Sequence, residues 1–354
     1  MPSLTRREFL RWGAAGAAAA VGGGLLEACS RRAKTNVVNF FNWSNYIGKE
    51  TLPNFEKETG IKVNYENFSG EEEMFSKIRS GVRGYDLIVA TDYMTPKLKA
   101  LRLVDPIPHD LLPGISHLEP RFADPIYDPG LAFTVPYLWG TTGIGFNAGK
   151  VPRPESWWSL WDSKFKGRMS MLDNVHDAIA CALVMLGLPA DTKNEAEIEK
   201  AKALLIKQRS LLKHYTSSTY IDELVNGELW MAQGWSGDVL QSARENKKVD
   251  YLIPKEGSFI YVDNLCLVRG SPNRENAVRL MDYLLRPQVA AEIANTVRYA
   301  TPNASARKLL DPKLLKDPRV FPTADIEKRL HFTAPLDPET DELWNRAWQE
   351  VKLS

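Results

Sequence analysis

Four short segments of this 354-residue chain set aromatic rings beside carboxylates and small polar groups: Asn42-Trp43-Ser44-Asn45-Tyr46, Thr91-Asp92-Tyr93, Trp235-Ser236-Gly237-Asp238 and Tyr261-Val262-Asp263. Indole and phenol faces attract ammonium groups by about 0.5–2 kcal/mol each, and carboxylates take charge-assisted hydrogen bonds from them. Gathered in one groove, such residues suit an elongated organic cation. A single aromatic residue is more often core than ligand-facing, so it is the recurrence of the pattern that points to a groove.

Bond-making chemistry finds less support. Gly234-Trp235-Ser236-Gly237-Asp238 approaches G-x-S-x-G but carries Asp238 where the last glycine must stand, which removes the tight turn a nucleophile needs. His109, His117, His176, His214 and His331 form no H-E-x-x-H and no helical metal pair. Asp173, His176 and Asp177 could ligate a metal, although acids at the start of a helix account for them more simply. No nucleophile with a base in reach is recognisable, and no cofactor is implied. The glycines from 140 to 145 lack the spacing of a dinucleotide loop and read instead as a strand crossing between lobes.

The first 28 residues resemble an export signal. Arg6-Arg7 precedes Glu8-Phe9-Leu10 and an apolar run from Trp12 to Leu26, too short to span a bilayer of about 20 apolar residues. The twin arginine is similar to signals of the Tat pathway, and Leu26-Glu27-Ala28-Cys29 resembles a lipobox, with Cys29 the acylated residue and 29–35 a tether. Glu27 is unusual there; a soluble exported protein cut nearby is the alternative. Removing the leader takes away Arg6, Arg7, Arg11, Glu8 and Glu27, so 45 basic and 44 acidic residues become 42 of each. A neutral chain with no basic run beyond Arg31, Arg32 and Lys34, which read as part of the tether, argues against nucleic-acid or general membrane-surface binding. The remaining length exceeds what one core usually supports, so two lobes are expected. Cys181 and Cys266 lie in apolar runs and read as small core residues rather than a disulfide framework.

Strands and helices alternate along the chain. Strands are predicted over 37–41, 61–65, 86–90, 168–172, 229–232, 251–253 and 261–268, with helices before Gly60, over 71–80, and from His176, Ala196, Asn273 and Pro287. That rhythm is α/β with mainly parallel sheets. The aromatic and acidic clusters then fall at strand ends, where open parallel sheets bind ligands.

Several segments, Asn42-Trp43-Ser44-Asn45-Tyr46, Tyr85-Asp86-Leu87-Ile88-Val89, Pro136-Tyr137-Leu138-Trp139-Gly140, Pro254-Lys255-Glu256-Gly257 and the run from Tyr299 to Leu310, resemble the periplasmic spermidine/putrescine-binding proteins of ABC importers. The resemblance runs in order from about residue 36 to 311. It implies the two-lobed periplasmic-binding-protein fold of the second type, with lobes over 36–141 plus 262–308 and 142–261 plus 309–354. It also implies a monomer that hands a polyamine to membrane permease and ATPase subunits, without catalysis. By the same resemblance, Trp43, Tyr46, Trp235, Tyr261 and Tyr299 form an aromatic wall, and Ser44, Asn45, Thr91 and Tyr93 are polar neighbours. Asp177, Asp238 and Asp263, with Asn174, grip the amines. Asn45 and Asn174 are amides where the family often has carboxylates, so the three aspartates remain as the anionic set, which permits putrescine or spermidine. A related receptor for ferric iron or another organic cation is the alternative.

Overall fold

The computed structural model of the protein describes residues 36–81 and 84–354; the leader, Cys29 and the tether lie outside the described residues. Eleven strands are present among them: β1 (Val37–Trp43), β2 (Lys62–Phe68), β3 (Leu87–Thr91), β4 (Val104–Asp105), β5 (Val135–Asn147), β6 (Met169–Met171), β7 (His214–Tyr215), β8 (Met231–Trp235), β9 (Val249–Leu252), β10 (Ser258–Val268) and β11 (Leu330–Phe332). They hydrogen-bond in the order β2-β1-β3-β10-β5-β8-β6-β7, with β4 and β11 on β10 and β9 on β5.

Parallel pairing holds in the outer strands, β2-β1-β3 at one end and β8-β6-β7 at the other. It gives way to antiparallel pairing at the two long strands, where β10 meets β3 and β5, and β5 meets β8 and β9. The glycine-rich stretch 140–145 lies inside β5, and all thirteen β5 residues are buried. Its glycines have a packing reason: a Cβ at Gly143 would lie 2.4 Å from the Leu252 carbonyl oxygen, a backbone atom that cannot yield. Tyr261 and Asp263 sit in the middle of β10, not at a strand end as expected, because that strand begins at Ser258 and passes through the centre of the sheet.

Local chemistry sets the other boundaries. The helix Thr51–Thr59 stops where Gly60 takes the left-handed conformation, φ 70°, which costs a residue without Cβ little. One core packs the β1-β2-β3 end, another the far end beneath the helices Val175–Met185, Glu195–Arg209 and Pro338–Leu353, and a third lies along the middle, with Trp139, Tyr220 and Tyr251 fully buried. Cys181 and Cys266 are buried, unbridged core residues. No helix among the described residues is long and apolar enough to cross a membrane.

Candidate functional site

The β1-β3 end contributes its loops first. After Trp43 the chain turns through Ser44 and Asn45, and Asn45 holds φ 55°, a left-handed conformation that asparagine tolerates better than most residues. Its residue type thus has a backbone reason. Asn42 fixes the turn by donating Nδ2–H to the Tyr46 carbonyl at 3.2 Å, and the Tyr137 hydroxyl donates to the same oxygen at 2.9 Å. Tyr46 is thereby aimed inward, and its hydroxyl donates to Asp263 Oδ2 at 2.5 Å. In the strand register Asp263 stands opposite Thr91, the last residue of β3. Asp92 and Tyr93 follow it, with Asp92 Oδ1 accepting the Tyr93 backbone N–H at 3.0 Å.

From the other end come two helix N-termini. Asn174 caps the helix Val175–Met185 by accepting the Asp177 N–H at 3.1 Å, which leaves its Nδ2–H to donate to the Tyr93 hydroxyl at 2.9 Å. Asp177 lies in the first helical turn and accepts the Thr142 hydroxyl at 2.6 Å and the Trp235 indole N–H at 3.2 Å. Trp235 ends β8 and Asp238 occupies the first turn of the helix Ser236–Glu245. Tyr220 and Tyr299 donate hydroxyls to the two Asp238 oxygens at 2.9 and 2.8 Å. Gly237 permits this, since a Cβ there would fall 2.4 Å from the Tyr299 ring.

All thirteen candidate residues line one cleft of about 340 Å³: Trp43, Ser44, Asn45, Tyr46, Thr91, Tyr93, Asn174, Asp177, Trp235, Asp238, Tyr261, Asp263 and Tyr299. Ser44 and Asn45 stand exposed at the rim. The rings pack in two groups: Trp43 meets Trp235 at 5.7 Å between centroids and Trp235 meets Tyr261 at 6.5 Å, while Tyr46 meets Tyr299 at 4.8 Å.

The charge in the cleft is one-sided. Among the described residues six aspartates line it (Asp92, Asp177, Asp191, Asp222, Asp238 and Asp263), with no lysine or arginine. Asp177, Asp238 and Asp263 are buried, and their partners are hydroxyls and indoles rather than cations. Burial, the leading cause, raises the carboxyl pKa of Asp177 and Asp238 to about 6 and that of Asp263 to about 7. Burial first, then the charge of Asp263, raises Asp92 to about 8. Unpartnered buried atoms collect around the same space: Trp43 Nε1, Thr91 Oγ1, Tyr261 OH and Asp263 Oδ1. The Trp43 indole N–H is near enough to hold down the Asp263 pKa but lacks hydrogen-bond geometry. Such a cleft can bind a multiply charged cation by offering each positive group a carboxylate and a ring face.

Metal ligation is not what these residues are arranged for. No group of three or more His, Cys, Asp or Glu among the described residues could hold a metal ion. Asp173 turns outward to Lys352 at 3.2 Å, whereas His176 stacks on Tyr93 with centroids 4.0 Å apart.

Sequence reasoning missed several lining residues. Asp92 was visible between Thr91 and Tyr93 but had no assigned role. His176 was weighed only as a metal ligand. Phe68, Asp191, Ser217, Ser218, Thr219, Asp222 and Trp344 also line the cleft. Tyr220-Ile221-Asp222 repeats the spacing of Tyr261-Val262-Asp263 and carried a local signal, whereas Asp191, Ser217 and Ser218 stand in segments that only the folded chain brings in.

Comparison with known proteins agrees with this geometry. Residues 51–323 match the family described as bacterial extracellular solute-binding protein. The chain is 34% identical to the putrescine-binding periplasmic protein PotF of Escherichia coli (strain K12) over 359 residues, covering 96% of each chain. It is 33% identical to the spermidine/putrescine-binding periplasmic protein of the same organism over 296 residues, covering 83% of this chain and 85% of the relative. Among solved structures, a putative spermidine/putrescine ABC transporter protein from Listeria monocytogenes superposes with a TM-score of 0.85 at 31% identity, covering 90% of this chain and 99% of that one.

Proposed function

This chain belongs to the bacterial extracellular solute-binding proteins, and from that premise we propose that it captures a polyamine, putrescine or spermidine, outside the cytoplasm and delivers it to the permease and ATPase subunits of an ABC importer. The observation that carries this reading is the cleft lined by six aspartates and aromatic rings, with no lysine or arginine among the described residues. Its relatives' names, which specify putrescine and spermidine, support the same class of ligand.

The physical sequence is binding without covalent change. Ammonium groups leave water only where each meets a carboxylate and ring faces, so Asp177, Asp238 and Asp263 receive the charged ends. Trp43, Trp235 and the tyrosines cover the methylene chain. A neutral or shorter solute leaves one buried carboxylate unmatched, which is the source of selectivity. We assign residues 36–141 and 262–308 to one lobe and 142–261 and 309–354 to the other, and infer that the ligand favours their closure because it bridges both. The closed surface is what the permease engages. We further propose that Arg6-Arg7 directs export in the Tat manner, that Cys29 carries a lipid holding the protein at the outer face of the cytoplasmic membrane, and that the protein is a monomer.

A thermal-shift screen with putrescine, cadaverine, spermidine, spermine and ferric citrate tests the ligand class, since a ligand binding only the folded state raises the melting temperature. Polyamines are expected to raise it and ferric citrate to leave it unchanged; the reverse pattern sinks the proposal. Mass spectrometry of the membrane fraction checks the acyl group on Cys29.

A further inference from the structure

Glu71 is the one glutamate buried among the described residues, at 3% exposure, and it opens the helix Glu71–Arg79. Its Oε1 accepts the Thr91 backbone N–H at 3.1 Å, and its Oε2 has no hydrogen-bond partner. No lysine or arginine is among the groups acting on it. The Thr91 hydroxyl is near enough to hold down the Glu71 pKa but lacks hydrogen-bond geometry. Across the strand register from Thr91 stands Asp263, whose Oδ1 is also unpartnered. Thr91 and Asp263 line the cleft, while Glu71 stands behind Thr91.

A backbone N–H needs only a neutral acceptor, so anchoring Thr91 does not explain a carboxylate here. Burial of an unpaired acid is expensive. Thr91 Oγ1 and Asp263 Oδ1, two unpartnered acceptors on the cleft wall, do make sense beside a primary ammonium with its N–H donors, and Glu71 Oε2 stands unpartnered behind them. We propose that Glu71 is a positioning residue that sets end-group specificity: it adds negative charge behind Thr91 and Asp263, so that this end selects a primary ammonium over a methylated one. The inference rests on reading the cleft as a polyamine site. Groups facing Glu71 are Thr91 and Tyr93 on the β3 side, Asp263 on β10, and Glu72 on its own helix. Burial, then the Asp263 charge, raises the Glu71 pKa well above the carboxylate range. On capture its O–H bond breaks, the proton passes to solvent, and the ligand's positive charge replaces it.

The test is Glu71→Gln, which keeps both volume and the acceptor for Thr91 N–H. Its dissociation constant for putrescine is expected to rise on the order of tenfold at alkaline pH, with a smaller change for permethylated putrescine, and the difference from the parent is expected to shrink as pH falls. Unchanged affinity, discrimination and pH profile overturn the proposal and leave Glu71 as a backbone anchor. Should the variant fail to fold, infrared difference spectra of the parent labelled with carbon-13 glutamate decide: putrescine must remove a protonated glutamate band, and an unaltered glutamate spectrum overturns the inference. A parent that binds no polyamine overturns the cleft reading and this inference together, whereas a binding parent with an indifferent Glu71→Gln overturns the inference alone.

Discussion

Asp263 has the strongest individual claim on a cationic ligand, because it is 3% exposed, touched by a tyrosine hydroxyl, and left with one unpartnered oxygen. Asp263→Asn is expected to weaken polyamine binding by about 2–5 kcal/mol, the range for truncating one side of a buried charged pair, as measured by calorimetry. Trp235→Ala should cost about 1–3 kcal/mol through lost ring contact and packing; equal spermidine affinity in that variant would move the cleft elsewhere. The raised carboxyl pKa values give a pH signature. Between about 4 and about 7 the folded, ligand-free protein holds protons on Asp177, Asp238 and Asp263 that the unfolded chain has released, so stability falls as pH rises through that window. Asp92, at about 8, extends the trend. His176, lowered by burial to about 4, opposes it below its ordinary 6.5, as one group against five once the raised Glu71 is included. The ligand-free melting temperature should therefore drop from about pH 5 to about pH 8, less so in Asp263→Asn, while polyamine affinity climbs; a rising ligand-free melting temperature would contradict it. The aromatic-acid pairs were legible in the sequence because the residue types themselves state the chemistry. Asp191 and Ser217 were not, since nothing local marks a hydroxyl or acid that another part of the chain brings into place.

Helices and strands position these side chains through features that can be tested one at a time. Gly143→Ala pushes a Cβ against the Leu252 carbonyl and should lower stability by about 1–3 kcal/mol in urea unfolding, the usual range for overpacking. Asn174→Ala removes both the cap of the Val175–Met185 helix and the bond to Tyr93. A loss of about 0.5–2 kcal/mol in stability is expected, with weaker polyamine binding because Asp177 loses its anchored first turn. Most elements could be read from periodicity and from punctuation by Gly60 and Pro287. The start of β10 could not. Ser258, Phe259 and Ile260 extend it upstream through pairing with β5 and β11, a tertiary choice that local alternation does not record. The antiparallel pairing of the two long strands escaped notice for the same reason.

Contacts between the two ends of the molecule go beyond the cleft. Lys97 reaches Asp341 at 3.1 Å, and Tyr93 bonds Asn174 and stacks on His176. A partly exposed ion pair of this kind is worth about 0–1 kcal/mol, too little to hold a closed state without cargo. Putrescine should accordingly shrink the radius of gyration seen by small-angle X-ray scattering and perturb the fluorescence of Trp43 and Trp235; scattering curves that superpose with and without it would rule out closure. The long strands β5 and β10 are continuous through the middle of the sheet, and their pairing slips register between Asp263 and Asn264. If Asp263 grasps the cargo as proposed, that acid sits on the joint itself. A tug on its carboxylate would then be torque applied at the pivot, with no lever arm in between, so that recognition and bending would be one mechanical event.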